Sequence, residues 1–337
     1  MSSSAVPRGA SNPVRVALLA IAAWGLWAPA TAHAFCRTTT SKVPADYDPA
    51  LSGCWTAGLP VYWSNACVSY DIQQSASKQM SYDVAAEAIA SAFSTWTGTA
   101  CSGAGGGSGR VSINVVDLGP VECSLVEYDQ TGPNQHVIVF RDTSWPYDDS
   151  SNTLALTTVS YDKDTGEIYD VDMEINSADY ALSTAATVPP GGYDFESIVT
   201  HETGHFLGMA HSQDTLATMY AHYTPGSEAM RELTADDIDG ICTIYPPDGM
   251  RAVSVDASAT GTLPEVTCDP TPRHGFTTQC MSAGSSSSSA SPSTSSSCAL
   301  RRQARDGRDE SAGAFALLGA ITVGSVLRRR RNGAAHR

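Results

Sequence analysis

Positive charge is scarce over most of this chain. Its 337 residues carry 20 Lys and Arg against 35 Asp and Glu, and the bases gather at the two ends. Residues 35–300 keep only nine bases against 32 acids, a net charge of −23. A body of that sign repels nucleic acid and anionic membranes, so neither is expected as its partner. The same carboxylates could serve Ca²⁺, or simply keep an exported protein soluble. Other absences narrow the field further. No Cys-x-x-Cys pair occurs, which leaves thioredoxin-like redox chemistry without support. No internal repeat is present. The apolar segment 312–327 falls short of the about 20 residues that a bilayer-spanning helix needs.

The ends of the chain read as addresses rather than as globular sequence. Arg8 and Arg15 precede an apolar run, residues 16–27, which leads to Ala32-His33-Ala34. That order is the signature of a secretory signal cleaved after Ala34, and it predicts export. All nine cysteines (36, 54, 67, 101, 123, 242, 268, 280 and 298) lie beyond that point. In an oxidising compartment they form a disulfide framework. Cys298 stands apart in the tail, which leaves eight for up to four bridges; local turn chemistry favours Cys268–Cys280. Residues 283–300 are dominated by Ser, a linker composition with nothing to bury.

Between these ends the chain alternates helix-like and strand-like patterns, an α+β arrangement. Residues 59–70 contain short β-prone pieces such as Val61-Tyr62-Trp63. Val84, Ala85, Ala88, Ile89, Ala92, Phe93 and Trp96 recur three and four apart, which predicts an amphipathic helix over residues 82–96. A glycine-rich loop at 103–109 leads to a strand at 111–116, and 136–140 reads as another. Residues 154–161 and 167–175 flank Asp162-Lys163-Asp164-Thr165-Gly166, a hairpin signature. Asp194 can cap a helix that follows Pro189-Pro190-Gly191-Gly192, and Thr234 caps a last one whose first turn holds Asp236 and Asp237.

The helix after Asp194 carries the chemistry. His201 and His205 are four residues apart, so they lie within about 40° on one helix face and can reach one metal ion. Glu202 sits beside them, placed for a proton rather than for the metal. Gly208 can end the helix in a left-handed turn and swing His211 back as third ligand. Three neutral nitrogens leave a fourth tetrahedral position open, the arrangement of one catalytic Zn²⁺.

The run His201-Glu202-Thr203-Gly204-His205-Phe206-Leu207-Gly208-Met209-Ala210-His211, followed by Met219, resembles the metzincin metalloproteases. The spacing to Met219, Ser212 after the third His, and Met219-Tyr220-Ala221-His222-Tyr223 look most like the matrixin branch. The resemblance implies a zincin-like domain: a twisted, mostly parallel sheet with one antiparallel edge strand and three helices. It implies His201, His205 and His211 as zinc ligands, Glu202 as general base, and Met219 as an apolar floor beneath the metal. Tyr223 would wall the substrate pocket, with Ala221 where the branch usually has Pro. A peptide would pair antiparallel with the strand at 154–160. Neither a propeptide nor a Pro-Arg-Cys-Gly inhibitory segment is found; Cys36 could mask the zinc, although an even cysteine count favours its disulfide. Asp162, Asp164, Asp170 and Asp172 are candidate Ca²⁺ ligands, whereas His136, His222 and His274 read as packing or surface residues.

The tail resembles a Myxo-CTERM-type sorting signal: Ser-rich linker, Cys298, an apolar helix over 312–327, then Arg328 to Arg331 in a row. It would contact membrane or sorting machinery and tether the protein at the cell surface. The expected organisation is a signal peptide (1–34), a catalytic domain (35–247), a small Cys-containing extension (248–282), the linker (283–300) and the sorting segment (301–337). The function expected is a monomeric, secreted or tethered zinc endopeptidase acting on extracellular proteins or peptides. The rival from another class is a surface-anchored zinc-containing adhesion module with little turnover.

Overall fold

Uninterrupted apolar runs become interior strands, and alternating ones become strands with a wet face. The computed structural model describes residues 34–44, 47–102, 108–147, 152–253, 260–262, 268–280 and 317–323. The secretory signal up to residue 33, most of the glycine-rich loop, the Ser-rich linker with Cys298, and residues 324–337 lie outside the described residues. Seven strands build the main sheet: β1 (Cys67–Gln73), β2 (Asn114–Val121), β3 (Val137–Phe140), β4 (Thr153–Tyr161), β5 (Ile168–Ile175), β6 (His222–Tyr223) and β7 (Leu317–Val323). Their spatial order is β6-β7-β4-β5-β3-β1-β2.

The half from β2 to β5 is parallel, as the apolar Val-Ile-Val-Phe of β3 demands. β4 and β5 form the antiparallel hairpin read from the sequence, with Thr157 opposite Met173. Its turn closes on Asp162, whose Oδ1 accepts from the Asp164 and Thr165 amides, and on Gly166 at φ 79°. β4 was expected at the edge. Instead β7 covers its outer side, running antiparallel to it, and β6 pairs parallel with β7. The apolar tail segment was expected to be helical, yet residues 317–323 are a strand. Gly319 weakens a helix, Ile321, Thr322 and Val323 favour extended backbone, and the free edge of β4 satisfies their hydrogen bonds. Among the described residues, no helix is long and apolar enough to cross a membrane.

Two longer helices, α1 (Tyr82–Thr97) and α2 (Phe195–Phe206), pack on the sheet, and a third, α3 (Ala235–Ile244), is tied through Cys242 to the short strand Ala100–Cys101. α1 follows its predicted stripe, burying Ala85, Ile89, Ala92, Phe93 and Trp96. Val84, assigned to that stripe, is 39% exposed at the rim of the first turn. α2 is buried around nearly its whole circumference, so its polar residues need internal partners. Thr200 and Thr203 turn their hydroxyls back to the carbonyls of Glu196 and Val199, both at 2.7 Å. Asp194 caps the Ser197 amide at 3.0 Å, and Arg231 clamps both its oxygens at 2.7 Å. The Val61-Tyr62-Trp63 piece, expected as part of a strand, makes only a bridge between Tyr62 and Glu167. Its Trp63 indole instead donates to the Phe206 carbonyl at 2.9 Å, satisfying the open end of α2.

Four disulfides brace the described chain: Cys36–Cys54, Cys67–Cys268, Cys101–Cys242 and Cys123–Cys280. The local pairing Cys268–Cys280 is therefore corrected. Each of these cysteines reaches back to the body, so residues 268–280 are stapled at both ends. Asn134 completes the attachment, donating to the Arg273 carbonyl at 2.7 Å.

The acids considered for calcium separate. Asp162 and Asp164 stay in the hairpin turn. Asp170 and Asp172 point into the sheet beside Asp71 and His136, all four buried. Asp172 accepts from the Val137 amide at 2.9 Å and Asp71 from the His136 amide at 3.2 Å, which fixes the entry to β3. Burial holds Asp170 and Asp172 well above the usual carboxylate range and pushes Asp71 up to about 7. Burial also lowers His136 to about 4, so its ring is neutral. Among the described residues, these four do not form a converging ligand set.

Candidate metal centre

Two consecutive turns of α2 present His201 and His205 toward the same point. Their Nε2 atoms face each other at 3.1 Å. The opposite nitrogens are occupied: His201 Nδ1 lies 2.6 Å from the Thr218 carbonyl, and His205 Nδ1 lies 2.9 Å from the Met209 carbonyl. A carbonyl only accepts, so each Nδ1 carries the proton and each Nε2 keeps its lone pair for a metal.

The third histidine arrives through a reversal of the chain. Gly208 sits at φ 93°, and a Cβ there would come within 2.9 Å of the Val61 carbonyl oxygen, so only glycine turns at that point. Met209–Ala210 then pairs antiparallel with Cys36–Arg37, which aims His211 back at the helix. Its ring centroid is 5.3 Å from that of His201 and 4.8 Å from that of His205. Among the described residues, these three form the group whose ligand atoms converge, all within 4.8 Å of one another.

Burial keeps the helix histidines unprotonated. Burial lowers His201 well below its ordinary pKa, with His205 and His211 adding to the effect, and burial lowers His205 to about 4. Neutral imidazoles at pH 7 are ready ligands. Glu202 is buried beside them. Its Oε2 accepts from the Thr157 hydroxyl at 2.6 Å, while Oε1 has no hydrogen-bond partner. Burial pushes this carboxyl up to about 8, opposed by the Thr157 bond. An unsatisfied buried oxygen of Glu202 beside three converging histidine ligand atoms fits a site made for a zinc ion and a water.

Met219 lies fully buried below the helix. A Cβ on Gly204 would overlap its sulfur, so glycine at 204 is what lets the Met-containing turn reach the underside of the site. That turn is held by Asp237, whose two oxygens accept from the Thr218 and Met219 amides at 2.8 and 3.0 Å. Asp237 also accepts from the Thr234 amide at 2.9 Å, so one carboxylate both caps α3 and holds the Thr218–Met219 turn. Tyr223, 1% exposed, accepts from the Asp194 amide at 2.9 Å and donates to the Ser227 carbonyl at 2.6 Å. Ala221 is buried two residues before it.

Sequence reasoning placed Asp237 only as a first-turn acid of a helix, and Thr157 only inside a strand. Each acts through a partner distant in the chain, which helical and strand periodicity do not encode.

This geometry brings together three histidines, two buried and one partly exposed, beside a buried carboxyl in an α+β fold, a group that could hold a metal ion. Residues 130–246 match the family model for matrixin. Metalloendoproteinase 1-MMP of Arabidopsis thaliana is 42% identical over 55 residues, 16% of this chain and 15% of the plant protein. Interstitial collagenase of Bos taurus is 47% identical over 55 residues (16% and 11%), and matrilysin of Homo sapiens 46% over 54 residues (16% and 20%). The alignments thus span a fifth or less of those relatives, and the family match covers about a third of this chain. Together they support a matrixin-like catalytic domain, and with it a metzincin fold.

Proposed function

We propose that this chain is an exported, monomeric zinc-dependent endopeptidase that hydrolyses peptide bonds of extracellular proteins or peptides. The observation that carries the reading is the convergence of one ligand atom from each of three histidines beside the unpaired Glu202 Oε1. His201, His205 and His211 would hold one Zn²⁺, which when bound supplies Lewis acidity toward the attacking water and the scissile carbonyl. Glu202 Oε1 takes a proton from that water and returns it to the departing nitrogen. Thr157 holds the other oxygen, so the base keeps one orientation. Met219, supported by Asp237, shapes the apolar floor. The substrate adds as an extended strand to the outer edge of β4. Ala221 and Tyr223 border the pocket for the residue after the scissile bond. Export through the N-terminal signal and tethering through the C-terminal segment complete the reading.

The test is cleavage of a quenched peptide library by the exported chain. Cleavage should vanish with a chelator, return with one equivalent of zinc, and be lost in Glu202→Ala. Zinc bound at one equivalent without Glu202-dependent cleavage would instead support the adhesion-module reading.

A further inference from the structure

The strand that covers β4 is the chain's own tail, and it lies where a peptide substrate would have to lie. β7 pairs antiparallel with β4, Gly319 opposite Thr157 and Ala320 opposite Leu156. Its far end pairs parallel with β6, Thr322 with His222 and Val323 with Tyr223. Thr157 is the residue whose hydroxyl binds Glu202, and β6 begins just after Ala221. The tail backbone therefore runs from the general base to the pocket border. The register on β4 breaks between Ala320 and Thr322. The Ala320–Ile321 bond falls at the hand-over from one wall to the other.

We propose that residues 317–323 act in cis as an occluding strand that blocks the substrate edge of β4. Their docking follows from the pairing itself; that docking inhibits rests on the endopeptidase reading above. A β-edge offers one set of amides and carbonyls, so a substrate and this segment exclude each other. The sequence suits the task, since Leu-Leu-Gly-Ala-Ile-Thr-Val carries no charge. Reach is ample: the 36 residues between the staple at Cys280 and Leu317 can span on the order of 120 Å when extended. Attachment by such a linker gives the segment a local concentration of about millimolar, enough for a weak strand to compete. The same segment cannot lie in a bilayer and on β4 at once. Capture of the tail by membrane, or its removal, would open the groove, which couples activity to arrival at the surface in a chain with no inhibitory propeptide motif.

Hydrogen exchange on the full exported chain tests the docking without any need for activity. Two variants are compared with wild type: Leu318→Pro with Ala320→Pro, which removes two strand amides, and replacement of 317–323 by Gly-Ser repeats. Outward-facing amides of Thr153–Val159 should exchange at least tenfold faster in both variants, with the amides of α2 unchanged. Equal exchange in all three chains overturns the proposal, whatever their activity. If the chain is an endopeptidase, both variants should show kcat/KM at least tenfold higher through KM, with kcat within twofold. A synthetic peptide of residues 315–325 should compete for the opened groove. Faster exchange in chains that cleave nothing would uphold the docking and remove the endopeptidase reading. Equal kcat/KM in active wild type and variants would overturn the inhibition. Glu202-dependent cleavage of the wild-type tail at Ala320–Ile321 would support it, because only a strand seated across the site can be cut there.

Discussion

Thr157 and Glu202 form the contact on which the chemistry of this site turns. The Thr157 hydroxyl stabilises the charged carboxylate, and burial opposes it. Thr157→Val should therefore raise the Glu202 pKa and move the acid limb of the pH–activity profile upward. A loss of about tenfold in kcat at pH 6, fading only above about pH 9, is expected for a hydrogen bond of roughly 1–1.5 kcal/mol. A profile that keeps its shape would show that this bond does not tune the base. Glu202→Gln keeps the size and removes the proton acceptor; kcat should fall about 10²–10⁴-fold with zinc still bound at one equivalent, as measured by metal analysis. Both expectations concern single atoms at named distances. The convergence of His201, His205 and His211 and the turn at Gly208 were legible in the sequence because they depend on helical spacing and on one left-handed turn. Thr157 and Asp237 were not, because their partners lie 45 and 19 residues away.

At the scale of elements, periodicity located α1 and the β4–β5 hairpin to within a few residues. It failed where an element is shaped by its neighbours. Val61-Tyr62-Trp63 looks like a strand, yet it serves the end of α2 through the Trp63 indole. The acids of β5 look like calcium ligands by composition, and in the fold they lie buried beside Asp71 and His136. That burial has a measurable consequence. Asp71 has a native pKa of about 7 against an unfolded value near 4, so the native state holds the extra proton. Its stabilising share is complete below about pH 4 and is lost as pH rises toward 7. Asp71→Asn cannot lose it, so between pH 5 and 8 wild type should lose a few kcal/mol relative to the variant in chemical unfolding. Parallel curves for the two proteins would place the proton elsewhere. Asp237→Ala removes the acceptor for the Thr218, Met219 and Thr234 amides together. A loss of about 2–4 kcal/mol is expected, with weaker zinc binding because the floor of the site loosens.

For the whole molecule, disulfide bracing decides which residues belong to the fold. The sequence announced an even set of cysteines but could not pair them, since pairing depends on where β1 and β2 lie in the folded sheet. Cys67 and Cys123 reach forward 201 and 157 residues, so residues 268–280 are part of the fold rather than a separate extension. A chain ended at residue 247 would leave both cysteines single. It should unfold at a lower temperature than one ended at 280, and the gap should close when both are reduced. The tail adds the second molecular-scale feature, an apolar segment legible by composition whose strand pairing no local pattern foretold.

The central claim is one zinc ion held by His201, His205 and His211, and X-ray absorption at the zinc edge addresses it most directly. With one equivalent bound, the account predicts three imidazole nitrogens and one oxygen ligand at about 2.0–2.1 Å, and loss of one imidazole in His211→Ala. A sulfur scatterer, fewer than three imidazoles, or an unchanged spectrum in His211→Ala would contradict it.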